Sequence, residues 1–208
     1  MKIWKIKNLV LLLLTFSSPA FGYNETLQTG EILPTQQYNV NLSTQFITDH
    51  DSGANFTGRV ETGLNEEYGL GAHLGVGTTD FLVGTYVKWV PIPDYEDQPA
   101  MGLTAGINFA RIDGFNELSV RTHPFISKMY ATELGNFTPF TSLPIGIRSF
   151  NGETTFPIQF ALGTEFEPHQ LEHIRFMGEI GFNIHKAFTY IVLSATFEID
   201  EENGIQFN

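Results

Sequence analysis

Asp49-His50-Asp51 is the triplet in this sequence best equipped for chemistry. An imidazole between two carboxylates, beside Ser52 and Gly53, could hold a divalent cation or activate a water. No second Asp-x-Asp or Asp-x-His pair at strand spacing completes such a site, so the triplet is a weak metal candidate and a solvated polar turn is the plainer reading. His169 and His173 are four apart, the spacing at which two helical residues share a face and can ligate a metal. Pro168 precedes them, and a loop is the expectation. His123 beside Arg121 could serve a nucleophile such as Ser119, but the simpler role for His123, as for His73, is a polar partner inside a sheet. The chain has no cysteine, which removes disulfides, thiol catalysis and zinc-thiolate sites together. No glycine-rich phosphate loop and no nucleophile elbow appear, so the residue inventory predicts neither enzyme nor cofactor.

The elements that position these groups belong to a chain of 208 residues with a formal charge of -12. Its 42 % apolar content is enough for a folded domain, so this is not a disordered acidic polymer. The acidity excludes a basic stripe for nucleic acid. Charged residues make up only 16 %, below the usual quarter, while aromatic residues reach 13 % with 19 Phe.

Residues 1–22 have the layout of a secretory signal peptide. Lys2, Lys5 and Lys7 form a basic start, Leu9 to Phe16 an apolar run, and Ala20 and Gly22 the small residues of a cleavage site. The apolar run is too short for a membrane-spanning helix, and no later stretch is long enough either. Cleavage would leave 8 of the 11 basic residues against 23 acidic ones.

Beyond residue 36 the pattern alternates every second residue, segment after segment. Tyr68, Leu70, Ala72, Leu74 and Val76 alternate with glycines and His73, and Phe81, Val83, Val87 and Trp89 face away from Gly84, Tyr86 and Lys88. Similar runs begin near Tyr38, Phe56, Met101, Leu118, Leu143, Phe156, Ile174 and Ile191. About ten strands result, within a range of eight to twelve, each close to the length that crosses a bilayer when tilted.

A soluble β-fold buries its apolar face, whereas a membrane barrel turns that face to lipid and fills its lumen with small and polar groups. Aromatics near strand ends (Phe81, Trp89, Phe109, Phe156 and Phe166) suit interfacial girdles, and glycines on the polar face suit a crowded interior. The charges decide. Arg59, Lys88, Arg121, Arg148 and Arg175 fall in strand interiors on the polar face with Glu61, Glu165, Glu179 and Glu198, a nearly balanced set such as a closed lumen needs. Arg59, Glu61, Lys88, Arg121, His123, Arg148, Glu165, Arg175 and Glu179 form the expected lumen network, with Arg59, Arg121, Arg148 and Arg175 meeting Glu61, Glu165 and Glu179 across the barrel. The remaining acids are assigned to turns and tails.

The segment Thr62-Gly-Leu-Asn-Glu-Glu-Tyr-Gly-Leu-Gly-Ala, a strand end, a tight polar turn and a strand start, resembles the hairpins of small outer-membrane β-barrel proteins of Gram-negative bacteria. The resemblance covers most of the chain after residue 22 as pattern. It implies an all-β, transmembrane, antiparallel up-and-down barrel, exported through the signal peptide and inserted by the outer-membrane assembly machinery. That machinery reads a C-terminal strand ending in aromatics. Tyr190 to Ile199, with Phe197, is similar to it, although Ser194 stands where a glycine is usual. The implied partners are outer-membrane lipid and lipopolysaccharide.

The resulting plan is a signal peptide at 1–22, a periplasmic segment at 23–35, the barrel at 36–199 and an acidic tail at 200–208. A periplasmic N-terminus would make the turns after even-numbered strands short, yet Pro91 to Gln98 and Met129 to Asn136 are among the longest connections. Either one strand is miscounted or the outer loops are unusually short. The expected role is structural or passive, through a plugged or narrow lumen: surface display, adhesion or slow permeation of small solutes. The alternatives are an outer-membrane hydrolase with a rim site at Asp49 to Asp51, where outer-membrane aspartyl proteases also use Asp and His, and a secreted soluble β-barrel binding a hydrophobic ligand.

Overall fold

The computed structural model describes residues 26–49, 52–171 and 173–200. Thirteen strand segments run in order: β1 (Gln37–Ile47), β2 (Gly53–Gly63), β3 (Tyr68–Gly77), β4 (Phe81–Ile92), β5 (Ala100–Ile112), β6 (Phe115–Ser127), β7 (Tyr130–Ala131), β8 (Gly135–Ser142), β9 (Ile145–Phe150), β10 (Glu153–Thr155), β11 (Ile158–Pro168), β12 (Ile174–His185) and β13 (Tyr190–Asp200). They make ten staves. β8 and β9 form one stave interrupted at Leu143-Pro144, and β10 and β11 another interrupted at Phe156-Pro157. β7 only adds a short ladder to β8 at the rim.

Each stave pairs antiparallel with its sequence neighbours, and β13 pairs with β1 from Gln37↔Asp200 to Ile47↔Tyr190. The sheet is therefore closed, and among the described residues no full stave is left as an edge to template aggregation. Proline supplies no N–H, so the ladder thins where the two staves are interrupted. Leu143 N donates to Pro124 O at 3.0 Å, Gly146 N to Pro157 O at 3.1 Å and Gln159 N to Pro144 O at 2.9 Å, which carries the wall across the break.

The expected count of ten staves and the all-β, transmembrane barrel class are what the chain forms. The loop discrepancy thus resolves without a miscount. At the rim away from the described termini the connections are short, and two are two-residue turns, Asp113-Gly114 and Asn151-Gly152. Both residues of each have positive φ (49° and 82°, 49° and 80°), the geometry that matches strand twist and that glycine accepts without strain. The longer connections, 93–99 and 128–134, lie at the rim where β1 begins and β13 ends. Asp94 clips them together, accepting from Lys128 Nζ and, at 2.7 Å, from Met129 N.

Alternation sorts the residues by face. Leu42, Phe56, Val60, Leu74, Val83, Ile107, Val120, Ile147, Leu162, Ile180 and Leu193 point outward and are exposed. Asn41, Ser43, Gln45, Asn55, Arg59, Lys88, Arg121, Arg148, Gln159 and Glu179 point inward and are buried. This is the reverse of a soluble barrel, and lipid is the solvent such an exterior requires. Phe81, Phe109 and Phe156 are exposed at the short-turn rim, and Trp89 at the opposite rim, stacked on Tyr68 with ring centroids 6.2 Å apart. Phe166, also at that opposite rim, is half-buried against Phe137 at 4.4 Å.

Glycines on the inner face let large rings lie flat in a narrow lumen. A Cβ on Gly71 would come within 2.2 Å of Tyr86 Cζ, and one on Gly181 within 2.1 Å of Tyr190 Cε1.

Candidate functional site

Among the described residues, the lumen is where the fold gathers the polar residues singled out in the sequence. Strand parity delivers them there, and closure of the wall brings distant staves together. Near the rim of the termini, Lys88 of β4 reaches Glu61 of β2 across the glycine of β3, and Tyr86 donates its hydroxyl to the same carboxylate at 2.6 Å. Arg175 of β12 gathers Glu165 of β11 at 3.7 Å, Glu198 of β13 at 2.9 Å, and Glu31 from the segment before β1. Deeper in, Arg121 and Arg148 lie 3.8 and 3.9 Å from opposite oxygens of Glu117. His73 and Asn108 meet over Gly84, and Thr104 neighbours His123 in register.

The largest departure from expectation concerns residues 23–35. Of these, residues 26–33 enter the barrel, while Pro34 and Thr35 are exposed at the rim. Thr26, Leu27, Gln28, Thr29 and Leu33 are buried inside the barrel. Glu179, on β12, accepts from Thr26 N at 2.9 Å, Leu27 N at 2.7 Å, Tyr190 Oη at 2.6 Å and Thr26 Oγ1. Arg59 donates to the carbonyls of Thr26 and Leu27, each at 3.3 Å, with its guanidinium 5.6 Å from the centre of the Tyr86 ring. Gly30 N donates to Ser127 Oγ at 2.8 Å. The Leu27 side chain sits with Ile47, Phe140, Met177, Phe188, Tyr190 and Val192, an apolar cluster at the inner face of the wall.

This placement corrects the expected pairing. Glu165 does meet Arg175, Glu61 takes Lys88 as well as the nearby charge of Arg59, and Glu179 accepts from neutral donors, half of them main-chain amides. The acid between Arg121 and Arg148 is Glu117, 2 % exposed, which the charge reading left among the turns. A signal for it existed, because Glu117 has the same strand parity as Ser119, Arg121 and His123. No periodic signal could have found Glu31.

The candidates for chemistry do not converge. Ser119 and His123 both face inward on β6, but four residues of strand place their Cα atoms about 13 Å apart, too far for a nucleophile and its base. His169 and His173 lie on a loop, not on a helix, with His173 3.6 Å from Glu198. Asp49 Oδ2 accepts from Thr189 N at 2.9 Å, while His50 and Asp51 lie outside the described residues. Among the described residues no three His, Asp or Glu side chains gather as a metal site. The cavities beside the N-terminal segment measure about 30 and 40 Å³, room for a water or two and not for an organic substrate.

No protein-family model matches the chain, and no curated protein matches it. Among solved structures, a chain described as "De novo design of transmembrane beta-barrels" is similar over 81 % of this chain and 100 % of its own, at 9 % identity and a TM-score of 0.42.

Proposed function

We propose that this protein is a small outer-membrane β-barrel of a Gram-negative bacterium, exported by its N-terminal signal peptide and closed by its own segment Thr26–Leu33. Its role is structural or passive: surface display, adhesion or at most slow passage of small solutes. Its partners are outer-membrane lipid, lipopolysaccharide and, during insertion, the assembly machinery. No catalytic step is assigned to it. One observation carries the reading: the lumen of a ten-stave barrel, already narrow, is occupied by a peptide segment hydrogen-bonded to Glu179, Arg59 and Ser127. The outward apolar band supports lipid as the surrounding medium.

Cell fractionation with heat-modifiable gel migration tests the location, and planar-bilayer recording tests the closure. The protein is expected in the outer-membrane fraction, and the wild type should pass no large steady current. Recovery from the soluble fraction alone would defeat the membrane assignment. Steady nanosiemens-scale currents would defeat the closed lumen.

A further inference from the structure

The contacts that hold Thr26–Leu33 resemble those between a receptor and a peptide. Two consecutive amides, of Thr26 and Leu27, point at one carboxylate, Glu179, and the two carbonyls of the same residues accept from one guanidinium, Arg59. Ser127 takes a third amide at Gly30. At Gly63 the wall has no side chain, and the Leu33 carbonyl lies where its Cβ would be, at 1.7 Å, so the segment's main chain passes directly against β2. These bonds hold the main chain irrespective of its side chains, with Leu27 turned to a φ of 39° between them.

Side chains are read at four further positions. Leu27 enters the apolar cluster around Phe140, Met177 and Val192. Gly30 passes Ala100 so closely that a Cβ would stand 2.1 Å from the alanine methyl. Glu31 reaches Arg175, and Leu33 is buried. The polarity is defined as well. Thr35 and Gln36 form an exposed turn at the rim, whereas Thr26 lies deep beside Glu179 and Ser142.

We propose that the lumen is a peptide-binding channel, that Thr26–Leu33 is its resident and replaceable ligand, and that a separate peptide of the pattern Thr-Leu-x-x-Gly-Glu-x-Leu binds there in the same bent conformation. Such a peptide enters N-terminus first from the rim that carries the chain termini. This rests on the closed-barrel reading and adds to it that closure is a binding equilibrium.

The test uses the full-length protein folded into phospholipid vesicles, with a protease site introduced at the exposed turn Thr35–Gln36 and cut after folding. A fluorescent synthetic peptide, Thr-Leu-Gln-Thr-Gly-Glu-Ile-Leu, is then added and its anisotropy followed. Saturable binding to the cut barrel is expected, with displacement by unlabelled peptide. Peptides carrying Leu27→Asp or Gly30→Ala should bind at least about tenfold more weakly, the loss of roughly one good contact. A scrambled peptide that binds equally well overturns the proposal, and so does a cut segment that unlabelled peptide never displaces. Because both altered peptides are read on the unaltered wall, the result does not depend on any wall variant folding. Large currents through uncut wild type would refute the closed barrel itself, whereas a closed wild type without peptide exchange refutes the channel alone.

Discussion

The two faces of the same wall solve opposite problems. On the outside, Leu42, Val60, Leu74, Ile107, Val120 and Ile147 stand exposed. Lipid replaces a core there, and nothing but apolarity is demanded of each position. On the inside, charged side chains have specific neighbours: Glu61 has Lys88 and Tyr86, Glu117 has two arginines, and Glu179 has the main chain of the N-terminal segment. The outer face is therefore specified by type and the inner face by pairing. Inner substitutions should accordingly fail one by one according to the partner they leave behind, and outer ones according to depth.

The largest expected effect is at Glu117. Replacing it by Ala removes the carboxylate that lies 3.8 and 3.9 Å from Arg121 and Arg148, and loss of one partner from a buried ionic group costs about 3–5 kcal/mol, less where water or another group takes its place. Urea titration of the barrel in vesicles would measure this, and a loss below that of an ordinary surface change would show the lumen to be well hydrated. On the outer face, Ile107→Arg sits level with Thr85 and Val120, midway along β5, and should cost about 2–4 kcal/mol. Leu103→Arg, level with Trp89, should cost distinctly less because arginine reaches the headgroups there. Equal penalties at the two positions would refute a lipid belt whose edge lies at Trp89.

Smaller effects sharpen the contrast. Gly30→Ala forces a methyl against Ala100, and overpacking of this kind costs about 1–3 kcal/mol. It should appear either as lost stability or as intermittent current from a displaced segment, and bilayer recording separates the two. The smallest effect belongs to Lys128→Ala, which breaks the Asp94 clip between two partly exposed rim loops. About 0–1 kcal/mol is expected, and a larger loss in the same titration would mean that the rim loops fold as part of the wall.

How far the sequence reached depends on how local each signal is. Strand alternation is a property of neighbouring residues, so it identified which side chains face inward at Arg59, Lys88, Arg121, Arg148, Glu165, Arg175 and Glu179, and these are inside the barrel. The same parity extended two residues further would have included Glu117. The proline breaks at Leu143-Pro144 and Phe156-Pro157 were legible as turn residues, but not as interruptions bridged within single staves.

The sequence by itself thus determined the class of the wall. Period-2 patterning with apolar residues on one face and glycines and paired charges on the other is stable only when the strands close and the apolar face meets lipid. Only the tertiary structure decided what fills the centre. Residues 26–33 carry no periodicity, and their place follows from the space left inside a closed ring of ten staves and from unpaired amides and carbonyls that must find partners there. Glu179, Arg59 and Ser127 supply those partners from staves far apart in the chain, a match that exists only once the ring has closed.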